Sequence, residues 1–390
     1  MNKERSLAHI EIITDIRPIP DKDRIVLAKV LGWNVVIGKD EFKEGDKVVY
    51  VEIDSRLNTK YEMFGLLAKD ADRYGFALIK TRKFGDSYSQ GICFRVPQEY
   101  AKLREGTDLT KLLNKGKEDN DLRIIHNEEY AERKADWDKP WKKETKLSFW
   151  KRILYRLFPK RRKARKKEKV PSPYDIGVTK TDEERIQNLV ELFEDLKSRR
   201  AELTMTEKLD GQSFTAHIDA SGKIYVASRN VPLFYAHSRR TKQSATYGGS
   251  TWYHAFERYG LKEGLKRMLD EHKAPVTVQG ELIGCHIGTN HYKITTEDVT
   301  LKVFSVRVDG KRLPFGEMEG MCKRHGLETV PFLGTMTMPA DMTMDEFIAM
   351  SDGASVLNGN VPREGIVYRT QDYRTSFKAI SNRFLVKRGE

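Results

Sequence analysis

The chain has 390 residues, long enough for two or three compact domains, each with its own core. Its 70 Lys and Arg against 57 Asp and Glu leave a formal charge of +13, an excess that points to a polyanionic partner: nucleic acid or an anionic membrane surface. Cys93, Cys285 and Cys322 stand far apart without C-x-x-C spacing, which argues against a disulfide framework and against structural zinc. No apolar run approaches the roughly 18 residues of a membrane span, and "MNKERSLAHI" lacks a signal-peptide core. The expectation is a soluble, cytoplasmic protein.

Residues 1–115 show short apolar runs such as "IVLAKVLGWNVVIG" and "KVVYVEID", separated by "FKEGD". Runs of this length, rich in Val, Ile and Tyr and cut by Gly-Asp, read as strands without helices between them. They predict an OB-like β-barrel, either a nucleic-acid platform or a domain that packs on its neighbour.

Residues 116–179 read as a basic linker or insert. "KLSFWKRILYRLF" sets Trp150, Ile153, Leu154, Leu157 and Phe158 at helical spacing, an amphipathic helix with basic residues on its polar side. "PKRRKARKKEK" follows. Between Lys142 and Lys169 fourteen Lys or Arg face two Glu, so this segment holds nearly all of the net charge. Three readings stay open for it: a grip on RNA phosphates, contact with an anionic membrane, or a solvated linker.

From residue 180 to 390 the pattern is that of one α+β domain. "KTDEERIQNLVELFEDLKSRR" predicts a helix in which Thr181 caps the start and Glu184 completes a capping box. Strands follow, interrupted by a helical stretch at "TWYHAFERYGLKEGLKRMLDEH". No G-x-x-x-x-G-K-[ST] loop occurs, so a nucleotide here must be held by side chains. His286 and His291, five apart, read as structural or RNA-facing residues.

"EKLDGQSFTAHI" places Glu207, Lys208, Asp210 and Gly211 ahead of an alternating strand. The stretches "ASRN", "VTVQGELIG", "LKVFSVRV", "REGIVYR" and "SFKAIS" follow in order, carrying Arg229, Glu281, Phe304, Glu364 and Lys378. This ordered set resembles the signatures of covalent nucleotidyltransferases, the ATP-dependent DNA and RNA ligases and mRNA capping enzymes. The order of a barrel before the catalytic domain, with "SQGICF" and "KTDEERIQN", is similar to the Deinococcus-type RNA ligases. That resemblance spans about residues 1–115 and 180–388 and leaves out the insert.

The resemblance implies an N-terminal OB-like β-barrel followed by an adenylyltransferase domain, an ATP-grasp-like nucleotidyltransferase with antiparallel sheets and flanking helices. It implies that Lys208 attacks the α-phosphorus of ATP, that AMP passes to an RNA 5′-phosphate, and that a 3′-hydroxyl then seals the strand. Lys378 would stabilise the α-phosphate. Glu281 and Glu364 would hold Mg²⁺ or Mn²⁺, Phe304 would stack on adenine, and Glu207, Asp210, Arg229 and Arg185 would complete the ATP site. A free lysine is protonated near neutrality, so nearby cations and desolvation are expected to favour the neutral amine.

The fifth signature departs from its relatives, because Ile380 stands where a second lysine is usual. Lys387 or the insert is expected to compensate. Only twelve residues follow Lys378, so the C-terminal OB domain of DNA ligases and capping enzymes is not expected. RNA is the expected partner and a monomer the expected state. A GTP-using capping enzyme, or a nucleic-acid or membrane tether with a catalytic domain as scaffold, are the other readings.

Overall fold

The computed structural model describes residues 6–117, 121–137, 178, 182–229, 232–233 and 251–389. In the N-terminal domain one long strand, Ala8–Pro18, serves two partners. Its first half pairs antiparallel with Lys47–Val51 and its second half with Ile25–Val30, and the register shifts between Ile13 and Asp15. A bulge of this kind bends a strand enough to curl the sheet. Trp33–Gly38 and Ile92–Arg95 complete five strands, and a smaller sheet joins Ile124–His126, Ser55–Asn58 and Phe76–Leu78. The core is fully buried Ile10, Ile13, Trp33, Val35, Val49 and Phe64, supplied by the alternate positions that the sequence marks as apolar. Because Ile124–His126 pairs with Ser55–Asn58, this domain runs past the expected boundary at residue 115 and takes in the helix Asn127–Trp137.

The second domain stacks two sheets. One joins Ile224–Ala227, Gln212–Ile218, Val276–Ile283 and Thr300–Val308, with short strands at its edges. The helices Thr251–Arg258, Leu261–His272 and Phe315–Arg324 cover its outer face through Phe214, Phe256, Leu265, Val278, Val303 and Met318. The other runs Glu184–Arg185, Ser376–Ile380, Gly365–Thr370, Glu202–Lys208, Phe332–Thr337. Its outer face packs on the helices Val190–Ser198 and Met344–Ala349, with Phe347, Tyr368 and Phe377 in mutual ring contact. The inner faces meet over a small cluster of Leu209, Ile283, Tyr292, Val330 and Val361.

The helix expected from residue 181 begins instead at Val190. Thr181 lies outside the described residues, and Glu184–Arg185 pairs parallel with Phe377–Lys378. Ile186 and Gln187 then turn into the seam with the barrel, where both are buried. Sheet pairing and burial there override the capping signal. The expected helix over 146–158 and the cationic tract also lie outside the described residues.

That seam is tightly fitted. Gly32 N–H donates to the Gln187 carbonyl at 2.8 Å, and a Cβ on Gly32 would fall 2.7 Å from Gln187 Cα, so no larger residue fits the contact. The Asn188 amide donates to Glu52 at 2.8 Å, and Lys29 Nζ meets Asp345 at 2.8 Å. Ile380, Phe384 and Leu385 of the second domain are buried within the core cluster of the first. Among the described residues no helix is long and apolar enough to cross a membrane.

Candidate active site

Lys208 ends a strand of one sheet and Gln212 starts a strand of the other, so Leu209–Gly211 is the crossing between them. A Cβ at Gly211 would sit 2.3 Å from the Leu282 carbonyl oxygen and 2.9 Å from Glu281 Cγ. The glycine of the signature is therefore what lets the Lys208 turn press against the Glu281 strand. Asp210 N–H is held by Tyr292 Oη at 2.7 Å, which fixes the turn from below.

A cavity of about 530 Å³ opens at this crossing. Glu207, Lys208, Asp210, Arg229, Glu281, Phe304, Glu364 and Lys378 all line it, so residues scattered over more than 170 positions of the chain converge as the signatures imply. Lys208 Nζ donates to Glu364 Oε1 at 2.6 Å. The other oxygen of Glu364 is buried and accepts no hydrogen bond. Burial pushes the Glu281 carboxyl up to about 8 against the pull of Lys208, and the nearby Glu364 and Asp210 carboxylates add to the rise. Two crowded, under-satisfied carboxylates beside a cavity are a donor set that fits a hard divalent cation.

Lys208 itself differs from expectation. Burial pulls its pKa down, but Glu364, then Glu281, with the Glu364 hydrogen bond and Asp210, outweigh burial and hold it above the ordinary lysine range. The surroundings expected to be cationic are anionic, since Lys378 lies elsewhere in the cavity, 3.1 Å from Asp182.

Asp182 was not singled out by the sequence, yet it bridges both phosphate-holding candidates, meeting Arg229 Nη2 at 2.6 Å as well as Lys378. Burial pushes its carboxyl up, but the two cations more than reverse this and hold it far below the usual range. Glu128 reaches in from the N-terminal domain to Arg229 at 3.0 Å, so the barrel side contributes to the cavity wall. Both sit outside the six signatures. The element "KTDEERIQN" did point to this place, through the wrong member. Arg185 is not a lining residue: it is buried, its Nη2 bonds Asp54 at 2.6 Å, and its guanidinium lies over Trp33, so it fastens the seam. Asp182 and Glu183 from the same element line the cavity instead.

Three further placements refine the sequence reading. Glu207 lines the cavity, but its Oε2 accepts from Val356 N–H at 2.8 Å and anchors the neighbouring loop. Asp210 takes the guanidinium of Arg388, which also bonds Thr289 at 3.0 Å. Arg388 is thus the cation that the last helix brings to the site, whereas Lys387 lines a separate crevice with Arg383. His286 pairs with Glu297 at 3.0 Å and His291 donates to the Pro362 carbonyl, the structural roles expected of them.

With this geometry in hand, comparison with known proteins is direct. Residues 201–387 match the family model described as RNA ligase, and residues 7–96 match that of an OB-fold domain. A structure of Naegleria gruberi RNA ligase with PPi is similar over 99% of this chain and 99% of that chain, at 28% identity and a TM-score of 0.75. A mutant of that enzyme with ATP and Mn is similar over 99% of this chain and 100% of its own, at 27% identity and TM-score 0.75. Another, with AMP and Mn, gives 98% and 99% coverage, 27% identity and TM-score 0.74. Curated proteins yield no match. Residues 201–387 are accordingly an RNA ligase domain, carried behind an OB-fold domain in one architecture with the Naegleria gruberi RNA ligase.

Proposed function

We propose that this protein is an ATP-dependent RNA ligase of the Deinococcus type that seals 3′-hydroxyl/5′-phosphate nicks in RNA repair. The observation that carries the reading is Lys208, ion-paired with Glu364 beside Glu281 in a cavity whose far side presents Lys378 and Arg229. Further support comes from the barrel-first domain order and from the ATP, AMP and Mn in the relative's structures.

In the first step the neutral Lys208 amine attacks the α-phosphorus of ATP; an N–P bond forms, the P–O bond to pyrophosphate breaks, and the amine gives up its proton. In the second, an oxygen of the RNA 5′-phosphate attacks that phosphorus and Lys208 leaves, regaining a proton. In the third, the 3′-hydroxyl attacks the activated 5′-phosphorus, loses its proton, and AMP departs. Each step gathers charge on phosphate oxygens, and Lys378 and Arg229 are placed to neutralise it once phosphate displaces Asp182 from them. Glu281 and Glu364 would hold Mg²⁺ or Mn²⁺, which supplies charge neutralisation at the phosphate. Occupied in that way, Glu364 no longer holds the Lys208 proton, and burial then favours the free amine. The insert at 142–169 supplies further phosphate contacts to RNA. The three cysteines are free, in keeping with a reducing cytoplasm.

Incubation with ATP labelled at the α-phosphate is expected to give label that survives denaturation of the wild type and is absent from Lys208→Ala. Label persisting in that variant overturns the proposal.

A further inference from the structure

At the inner end of the cavity stands a group of charges that the three steps above do not use. Glu183 and Arg369 line it, and Thr206 lies between them and Lys208. Arg369 is 3% exposed, its Nη1 reaches Thr206 Oγ1 at 3.4 Å, and its Nε is buried without a partner. The Glu183 carboxylate is 3.6 Å from Arg369 and 4.0 Å from Arg312, both too long for hydrogen bonds, and it accepts none among the described residues. A buried carboxylate and guanidinium that face a cavity while leaving their hydrogen-bonding capacity unspent are a place for a polar ligand edge.

Strand register says which edge. Lys208 pairs with Gly365, Thr206 with Val367, and Thr204 with Arg369. Each pair lies two residues, about 7 Å, further from the nucleophile. A nucleotide with its α-phosphorus at Lys208 therefore lays its base against Val367 and Phe304, and the base's outer edge meets Glu183 and the Arg369 guanidinium. We propose that Glu183 accepts a hydrogen bond from the exocyclic 6-amino group of that base while Arg369 donates to the adjacent ring nitrogen, making Glu183 the residue that selects adenine. The inference rests on the nucleotidyl-transfer reading of the site. Adenine offers an amino donor at position 6 beside ring-nitrogen N7, an acceptor, whereas guanine offers a carbonyl oxygen at position 6, an acceptor facing an acceptor.

The test compares initial rates of lysyl-nucleotide formation with ATP, GTP and purine riboside triphosphate, which lacks the 6-amino group. Wild type is expected to favour ATP over the purine analogue by about tenfold or more, as sites built around a polar group do. In Glu183→Ala that ratio should fall to within about twofold. In Glu183→Gln, whose amide can donate to a 6-carbonyl, GTP should gain several-fold relative to ATP. Ratios within one preparation are insensitive to the folded fraction. A wild type indifferent to the 6-amino group, a wild type that prefers GTP, or an unchanged ratio in Glu183→Ala overturns the inference while leaving nucleotidyl transfer standing. Absence of any lysyl adduct overturns both.

Discussion

Lys208 has to lose a proton to act, yet its partners in the ligand-free site are carboxylates that keep the proton on. Burial alone would lower its pKa, and Glu364 with Glu281 reverses that sign. The residue is thus stored as an ammonium and released when Glu364 takes another cation. Glu364→Gln removes the largest stabiliser of the charged form. The pH midpoint for modification of Lys208 by an amine-directed reagent, followed by peptide mass, is expected to fall by about one unit or more in that variant. A midpoint that stays in place would mean that Glu281 and Asp210 hold the proton without Glu364.

At the scale of the element, the strand Ser376–Ile380 and the helix Asn382–Arg388 divide their side chains between site and core. Lys378 faces the cavity, while Ile380, at 3% exposure, packs with Phe384 and Leu385 into the barrel core. The position that is lysine in related ligases is here an apolar anchor, and the compensating cation is Arg388, since successive helical residues point about 100° apart and Lys387 therefore faces elsewhere. Restoring the family's lysine is expected to harm the protein. Ile380→Lys should cost about 3 kcal/mol or more in urea unfolding, because it buries an unpaired charge, whereas Ile380→Val should cost about 1 kcal/mol.

For the whole molecule, the seam makes the OB-fold domain and the ligase domain share a core. His9 sits in that assembly: its ring meets Glu52 at 3.0 Å and Glu11 at 3.4 Å, and Glu52 in turn accepts from Asn188 across the seam. Burial lowers the His9 pKa, but the hydrogen bonds and charges of Glu11 and Glu52 raise it further, to about 9 from 6.5. A folded pKa above the unfolded one stabilises fully below about pH 6.5, and that stability is lost as pH rises through about 9. The contribution is on the order of 3 kcal/mol at most. The urea midpoint should fall between pH 6.5 and 9.5, and His9→Gln should flatten that slope. An equally steep slope in the variant would remove His9 as the cause.

Much of this was legible in the chain as written. Barrel strands, the order of the signatures and the available chemistry follow from local patterns: period-two apolar alternation, a glycine where the backbone must pass close, and acidic and basic residues on strand ends. Lys208, Glu281, Phe304, Glu364 and Lys378 met in one cavity because strands have only two faces. What the sequence could not decide is which charge answers which. The Lys208–Glu364 pair spans 156 positions, and Lys378–Asp182 spans 196. Such pairings depend on sheet register and on how two sheets stack, and these are set by total burial over the whole fold. For that reason only the tertiary structure sent Arg185 to the seam, brought Asp182 and Glu183 into the cavity, and surrounded the nucleophile with anions where cations were expected.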